Sequence, residues 1–240
     1  MQLNCDLGEG YGNYSMPVDE AIMPYLHQAN IACGFHAGDP LHIKQAVALA
    51  IKHGVSIGAH PSYPDLQGFG RRSMAIESEE LIAIIQYQIG ALHAVCQFAG
   101  SHCQYVKPHG ALYHDIVNNQ TVRLACFSAI AATGLDLPVM LPATQTPFHL
   151  VNDAEKYGLK ILFEAFADRA YLDSGLLAPR HMAGSVLDVK KALAQAKRLI
   201  NHNEIVTISG QVLPLHADSL CVHSDSPEAV LLVQKIAACL

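Results

Sequence analysis

Charge is scarce in this sequence: Asp, Glu, Lys and Arg make up 15% of 240 residues, whereas 51% are apolar. So little charge excludes a chain of solvated, disordered tracts and implies a large core with mostly covered helices. Basic clusters are missing beyond Arg71-Arg72 and Lys190-Lys191, and the formal charge is -6. Nucleic acid and anionic membrane are therefore not expected as partners. Cys-x-x-Cys is also absent. Seven cysteines, an odd number, fit a reducing cytosol better than a disulfide framework, so a cytoplasmic protein is expected. Cys5, Cys33 and Cys221 read as small buried hydrophobes in apolar strands. No low-complexity tract marks a linker, which leaves one domain over 1–240. The start, MQLNCDLGEG, lacks the basic segment and long apolar region of a signal peptide. Apolar runs such as LIAIIQYQIGALHAV are interrupted by Gln, Gly and His and are too short to span a bilayer.

Familiar nucleotide and hydrolase signatures are missing too. GEGYGN carries Asn13 where a dinucleotide fingerprint needs its third glycine, and GFGRRS lacks the Lys-Ser/Thr pair of a phosphate loop. No Gly-x-Ser-x-Gly elbow supports a serine hydrolase.

What is present is alternation. Short β-branched runs at Gln2–Asp6, Ala29–Cys33, Ser56–Ala59, Gln104–Lys107, Pro138–Leu141, Lys160–Ala165 and Leu220–His223 read as strands. Between them, helices are expected near Leu41–His53, Ser78–Ala99, Asn119–Ala132, Phe148–Tyr157 and Gly184–Asn201, with a last one after Pro227. Asp39-Pro40 and Ser226-Pro227 each place an N-capping oxygen before a proline at the first helical position. Alternation of this kind predicts an α/β fold with a parallel sheet, either a barrel of about seven strands or a doubly wound open sheet. EIVTISGQVLPLH breaks the rhythm and reads as a β-hairpin near 205–215, inserted before the last strand.

Polar residues gather where the strands stop. Asp6 ends the first; His36 and Asp39 follow the second; His60 follows the third; Lys107 and His109 follow the fourth. Glu164 and Asp168 belong to the sixth, His223 and Asp225 to the last. In parallel α/β architectures the site lies at the carboxyl ends of the strands. Residues two apart on a strand share a face, so Asn4 with Asp6, Lys107 with His109, and His223 with Asp225 can converge. Asp39 and Asp225 also have a plainer reading as helix caps, and Arg71-Arg72 as a solvated loop end rather than a carboxylate fork.

NCDLGEGYG, ANIACGFHAGDP, GAHPSYPDLQGFGRR, VKPHGALY, FEAFADRAY and VHSDSP, in that order, resemble the LamB/YcsF family across essentially the whole chain. The resemblance implies a TIM-like (β/α)7 barrel of the glycoside hydrolase/deacetylase type. It also implies ATP-dependent opening of 5-oxo-L-proline to L-glutamate, with ATP as co-substrate of a 5-oxoprolinase complex that includes separate subunits B and C. On that basis Asp6 or His60 is the expected general base on water, and Lys107 and His109 stabilise negative charge on the lactam oxygen or its phosphate. Arg71 or Arg169 grips the substrate carboxylate, and Glu9, His36, Asp39, Glu164, Asp168, His223 and Asp225 bind or orient. No metal is required by this scheme; a divalent ion, if used, would take Asp6, His36, His60 and His109. Two other readings remain: a metal-dependent amidohydrolase or carbohydrate deacetylase acting alone, and a lactam-binding subunit without catalysis.

Overall fold

The computed structural model describes residues 1–14, 18–224 and 228–240. Nine strands and eight α-helices follow one another along those residues. They are β1 Gln2–Leu7, α1 Val18–Ile22, β2 Gln28–Ala32, α2 Pro40–His53, β3 Ser56–His60, α3 Ser78–Phe98 and β4 Tyr105–Val106. Then come α4 Gly110–Asn118, α5 Gln120–Ala131, β5 Val139–Pro142, α6 Phe148–Glu155, β6 Ile161–Phe166 and α7 Val189–His202. The last are β7 Glu204–Val206, β8 Val212–Pro214, β9 Ser219–Cys221 and α8 Ala229–Ala237. Seven strands close into a parallel barrel in the order β1-β2-β3-β4-β5-β6-β9, which settles barrel against open sheet. The expected hairpin is there: β7 and β8 pair antiparallel outside the barrel.

Local chemistry sets the boundaries. Asp39 accepts hydrogen bonds from the Leu41 and His42 amides and starts α2 at Pro40; Gly54, at φ 68°, ends it. Asp188 accepts from the Lys191 amide, so α7 begins at Val189 and not at Gly184 as the pattern suggests. The Ser226-Pro227 cap lies outside the described residues. Two helices, α1 and α4, go beyond the expected set. At 21 residues α3 is long and apolar enough to cross a bilayer by length and composition, more than its interrupted apolar runs imply. Here Leu81, Ile85, Ile89, Leu92 and Cys96 instead bury one of its faces in the core. All seven cysteines are free thiols.

The lumen of the barrel is polar. Leu3, Cys5 and Leu7 of β1 join the outer core, while Asn4 and Asp6 alternate with them and turn inward. Asn4 Nδ2 donates to Ser219 Oγ at 2.7 Å, Asn30 Nδ2 to Asn4 Oδ1 at 2.8 Å, and Tyr105 OH to Asn30 Oδ1 at 2.7 Å. Ser219 in turn donates to Gln28 Oε1 at 2.7 Å. Tyr105 fits across the lumen because β3 has Gly58 opposite it, where a Cβ would overlap the phenol ring. Buried amides and hydroxyls saturated in this way cost little and fix a single register.

Candidate active site

On top of the amide layer sits an ionic one. Lys107, 3% exposed, places Nζ 2.9 Å from Asp6 Oδ1 and 2.9 Å from Glu164 Oε1. Asp6 Oδ1 also accepts from Asn30 Nδ2 at 2.8 Å, and Tyr113 OH donates to Glu164 Oε2 at 2.8 Å. Burial disfavours both charges of the Asp6–Lys107 pair, but proximity wins. The neighbouring His60 and the Lys107 ammonium hold the Asp6 carboxyl well below its ordinary range, and the Asp6 and Glu164 carboxylates hold the lysine well above its own. The ammonium is a permanent cation at the barrel mouth.

Two hydrogen-bonded pairs, one of two histidines and one of histidine with aspartate, flank it. His60 Nδ1 lies 2.6 Å from the Lys107 carbonyl and His109 Nε2 lies 2.9 Å from the Phe69 carbonyl. A carbonyl oxygen only accepts, so both of these ring nitrogens carry protons. The remaining nitrogens, His60 Nε2 and His109 Nδ1, meet at 2.9 Å, and a hydrogen bond between them needs a third proton. His60 Nε2 is also 3.5 Å from Asp6 Oδ2. The second pair joins the ends of β6 and β9: Asp168 Oδ2 accepts from His223 Nδ1 at 2.9 Å and from the His223 amide at 3.2 Å. Burial opposes ionisation of Asp168, yet His223 keeps its carboxyl below the ordinary range. With Nδ1 committed, Nε2 is the His223 nitrogen left for chemistry. Its ring stacks on Phe166, centroids 5.7 Å apart.

Asp6, Lys107, the imidazoles of His60, His109 and His223, Phe166 and Tyr113 line a cavity of about 430 Å³, and Arg71, Arg169, Arg180 and His114 border it. Of the strand-end residues, the cavity thus brings together Asp6, His60, Lys107, His109 and His223. Glu9 and His36 lie behind the cavity: His36 Nε2 is 3.3 Å from Glu9 Oε1, and the His36 ring stacks on His109 at 3.8 Å between centroids. Burial and nearby Asp6 push the Glu9 carboxyl up to about 7, and burial keeps His36 and His109 neutral by driving their pKa well down.

Some expectations need correction. Asp39 does not reach the cavity; besides capping α2 it accepts from the Gly12 amide and contacts His42 Nδ1, so its carboxylate is spent on structure. Asp225 lies outside the described residues. Arg72 pairs with Asp65 instead of a ligand. Arg169 borders the cavity, but Nη2 donates to the Ala178 carbonyl at 2.6 Å and Nε to the Ser185 carbonyl at 3.3 Å, so part of its fork laces the 167–187 segment. Gln195 of α7 laces the same segment through the Phe166, Ala167 and Arg169 carbonyls. Sequence reasoning missed Asn30 and Tyr113 altogether. Asn30 sits level with Asp6 in the register of β1 and β2, which was the available signal.

The metal set also changes. Glu9, His36, His60 and His109 form the compact group, and Asp6 falls outside it. His36 and His109 are near-parallel, 6° apart, so their ring planes share no point at which one ion would meet both lone pairs. The 2.9 Å between His60 Nε2 and His109 Nδ1 is a hydrogen-bond distance, shorter than the roughly 3.3 Å edge of a tetrahedral zinc site. A second group, Asp6, Cys221 and His223, has the Lys107 ammonium beside it, 3.4 Å from Cys221 Sγ, and burial holds that thiol protonated. As arranged, neither group fits a metal.

Comparison with known proteins fits this picture. The LamB/YcsF family profile matches residues 1–240. The 5-oxoprolinase A subunit of Vibrio cholerae serotype O1 is 45% identical over 241 residues, covering 100% of this chain and 97% of the relative. A 5-oxoprolinase A subunit of Pseudomonas aeruginosa, the one numbered 3 in that organism, is 48% identical over 239 residues, covering 99% and 95%. Among solved structures, a lactam utilization protein from Thermus thermophilus superposes with a TM-score of 0.92 at 41% identity, covering 100% of this chain and 95% of that one.

Proposed function

The chain belongs to the LamB/YcsF family, and from that premise we propose that it opens the lactam of 5-oxo-L-proline as the hydrolytic subunit of an ATP-dependent 5-oxoprolinase. A five-membered lactam is a poor electrophile. Transfer of the ATP γ-phosphoryl group to the lactam oxygen, handled by partner subunits B and C, releases ADP and leaves a reactive phosphorylated imidate. Water adds to the lactam carbon and gives up a proton to His223 Nε2, whose Nδ1 is oriented by Asp168. The ring C–N bond then breaks as the hydroxyl left by water releases its remaining proton and becomes the acyl carbonyl. The departing nitrogen, which still carries the lactam hydrogen, takes a second proton from the His60–His109 pair. The product is γ-glutamyl phosphate. A second water converts it to L-glutamate and inorganic phosphate.

His223 replaces Asp6 and His60 as the base for physical reasons. Asp6 is held too acidic by its cationic neighbours, and both nitrogens of His60 are engaged. Lys107 stabilises the negative charge of the phosphate carried on the lactam oxygen, and Arg71 with Arg169 receives the substrate carboxylate. The observation that carries this reading is the presence, in one cavity, of a carboxylate-oriented imidazole facing a carbonyl-oriented imidazole pair across a fixed ammonium. The test mixes this chain with its partners, ATP and 5-oxo-L-proline, and follows glutamate and phosphate while one component at a time is left out. Glutamate should require every component. Full-rate glutamate without ATP would point to a hydrolase acting alone, and none under any combination to another substrate. Unchanged glutamate formation by the His223→Gln variant would remove the base assigned here.

A further inference from the structure

The segment 65–72, which carries GFGRR, reaches the histidines by its backbone. Phe69 has φ 54°, the left-handed region that a bulky residue adopts only when its surroundings demand it. That conformation brings the Phe69 carbonyl to His109 Nε2 at 2.9 Å. Its ring stands edge-on to both His36 and His109, with centroids 5.5 and 5.3 Å away. Gly70 follows at φ 64°, and a Cβ there would lie 2.8 Å from His109 Cδ2 and 2.9 Å from His36 Cβ. The Gly70 carbonyl accepts from the Ala111 amide at 2.8 Å, which ties the strap to the start of α4 just beyond His109.

What holds the strained carbonyl in place lies away from the cavity. The Asp65 backbone carbonyl accepts from the Gly70 amide at 2.9 Å, and its carboxylate accepts from the Gly68 amide at 2.9 Å. Arg72 Nε then donates to both carboxylate oxygens at 3.1 Å. The carboxylate is buried, while the Arg72 side chain is largely exposed, and neither residue borders the cavity. An exposed arginine closing a loop on a buried aspartate would ordinarily be a stability feature only. Here the loop it closes delivers the acceptor that decides which nitrogen of His109 is protonated.

We propose that the Asp65–Arg72 clip is a positioning device for the reaction: by holding Phe69 left-handed it fixes His109 as the Nε2–H tautomer and turns the Nδ1 lone pair toward His60. The inference rests on the reading that the His60–His109 pair is the proton donor, but its first test does not depend on turnover. In protein labelled with 15N in its histidine rings, His109 should show a protonated Nε2 and an unprotonated or hydrogen-bond-accepting Nδ1. In folded Asp65→Ala, the ring shifts of His109 should move toward a mixture of tautomers. Turnover in the reconstituted complex should fall by about ten- to a hundredfold through kcat, with KM little changed, as expected for a misplaced group that does not bind substrate.

Should Asp65→Ala fail to fold, Arg72→Gln leaves the backbone bonds of Asp65 intact and should show the same changes in smaller degree, with Arg72→Lys restoring part of them. Phe69→Gly keeps the carbonyl and suits the left-handed φ, so it should retain the Nε2–H signature. A wild-type His109 protonated on Nδ1 would overturn the proposal. So would clip variants with unchanged ring shifts and unchanged kcat. A tautomer as stated in protein that makes no glutamate would instead sink the assigned reaction and leave the clip standing.

Discussion

Two imidazole assemblies meet at one cavity and are oriented by opposite means. His223 leans on a carboxylate, Asp168; His60 and His109 lean on backbone carbonyls. A carboxylate does two things: it fixes the tautomer, and its charge faces the imidazolium that forms when the ring takes a proton. A neutral carbonyl fixes the tautomer while adding little to basicity, which suits a ring that must surrender a proton. Under the proposed reaction, acid and base roles follow from what lies behind each histidine, not from the histidines themselves.

Breaking both assemblies together should have the largest effect. Lys107→Met removes the cation between them and leaves Asp6 and Glu164 buried without their partner. We expect turnover to vanish and the fold to lose on the order of 3–5 kcal/mol, read by chemical denaturation. Next comes the carboxylate side. Asp168→Asn offers an amide that can turn its NH2 to His223 and select the wrong tautomer, so kcat should drop by roughly 10²–10⁴ with the fold intact by circular dichroism. On the carbonyl side His109→Gln should cost about 10²-fold in kcat, less than Asp168→Asn; the reverse order of the two would invert the assignment of acid and base.

The smallest effect concerns the group behind the carbonyl-oriented pair. Glu9 has a folded pKa of about 7 against an ordinary 4.5, so the folded state holds this proton more tightly than the unfolded one. Its contribution is therefore present below about 4.5 and is lost as pH rises through about 7. Glu9→Gln, which cannot ionise, should be stabilised relative to wild type at pH 8 compared with pH 5, by a few degrees in Tm. An identical difference at both pH values would show that Glu9 does not titrate there.

Much of the frame was legible in the sequence because apolar β-branched runs ending in polar residues have few other meanings in an alternating chain. Six of the seven barrel strands lie within one residue of expectation at each end, and the hairpin fell where the rhythm broke. β9 stops at Cys221, two residues short, because the His223 amide turns to the Asp168 carboxylate instead of a strand partner. The helix α4 was hidden by its start: Gly110 sits at φ 56° behind His109, whose side chain does not cap, so no Ser, Thr or Asp signal announces it. Missing α4 meant missing Tyr113 as the donor to Glu164. That Asp6, His60, Lys107 and His109 share one cavity was readable from strand ends. Their division of labour was not, since it depends on carbonyls at Lys107 and Phe69 that carry no residue identity. Likewise Asp39 looked like a strand-end ligand because a capping aspartate and a binding aspartate occupy the same place in the pattern.

The lacing of segment 167–187 has a kinetic consequence. Arg169 laces the segment to itself through the Ser185 and Ala178 carbonyls, and Gln195 of α7 holds its start through the Phe166, Ala167 and Arg169 carbonyls, so the base of the wall moves only if that glutamine lets go. The chamber should then behave as a vessel with a rigid rim rather than one with a flap. Selection by size would persist with warming until α7 melts, and the escape of a bound molecule would be paced by diffusion through the aperture.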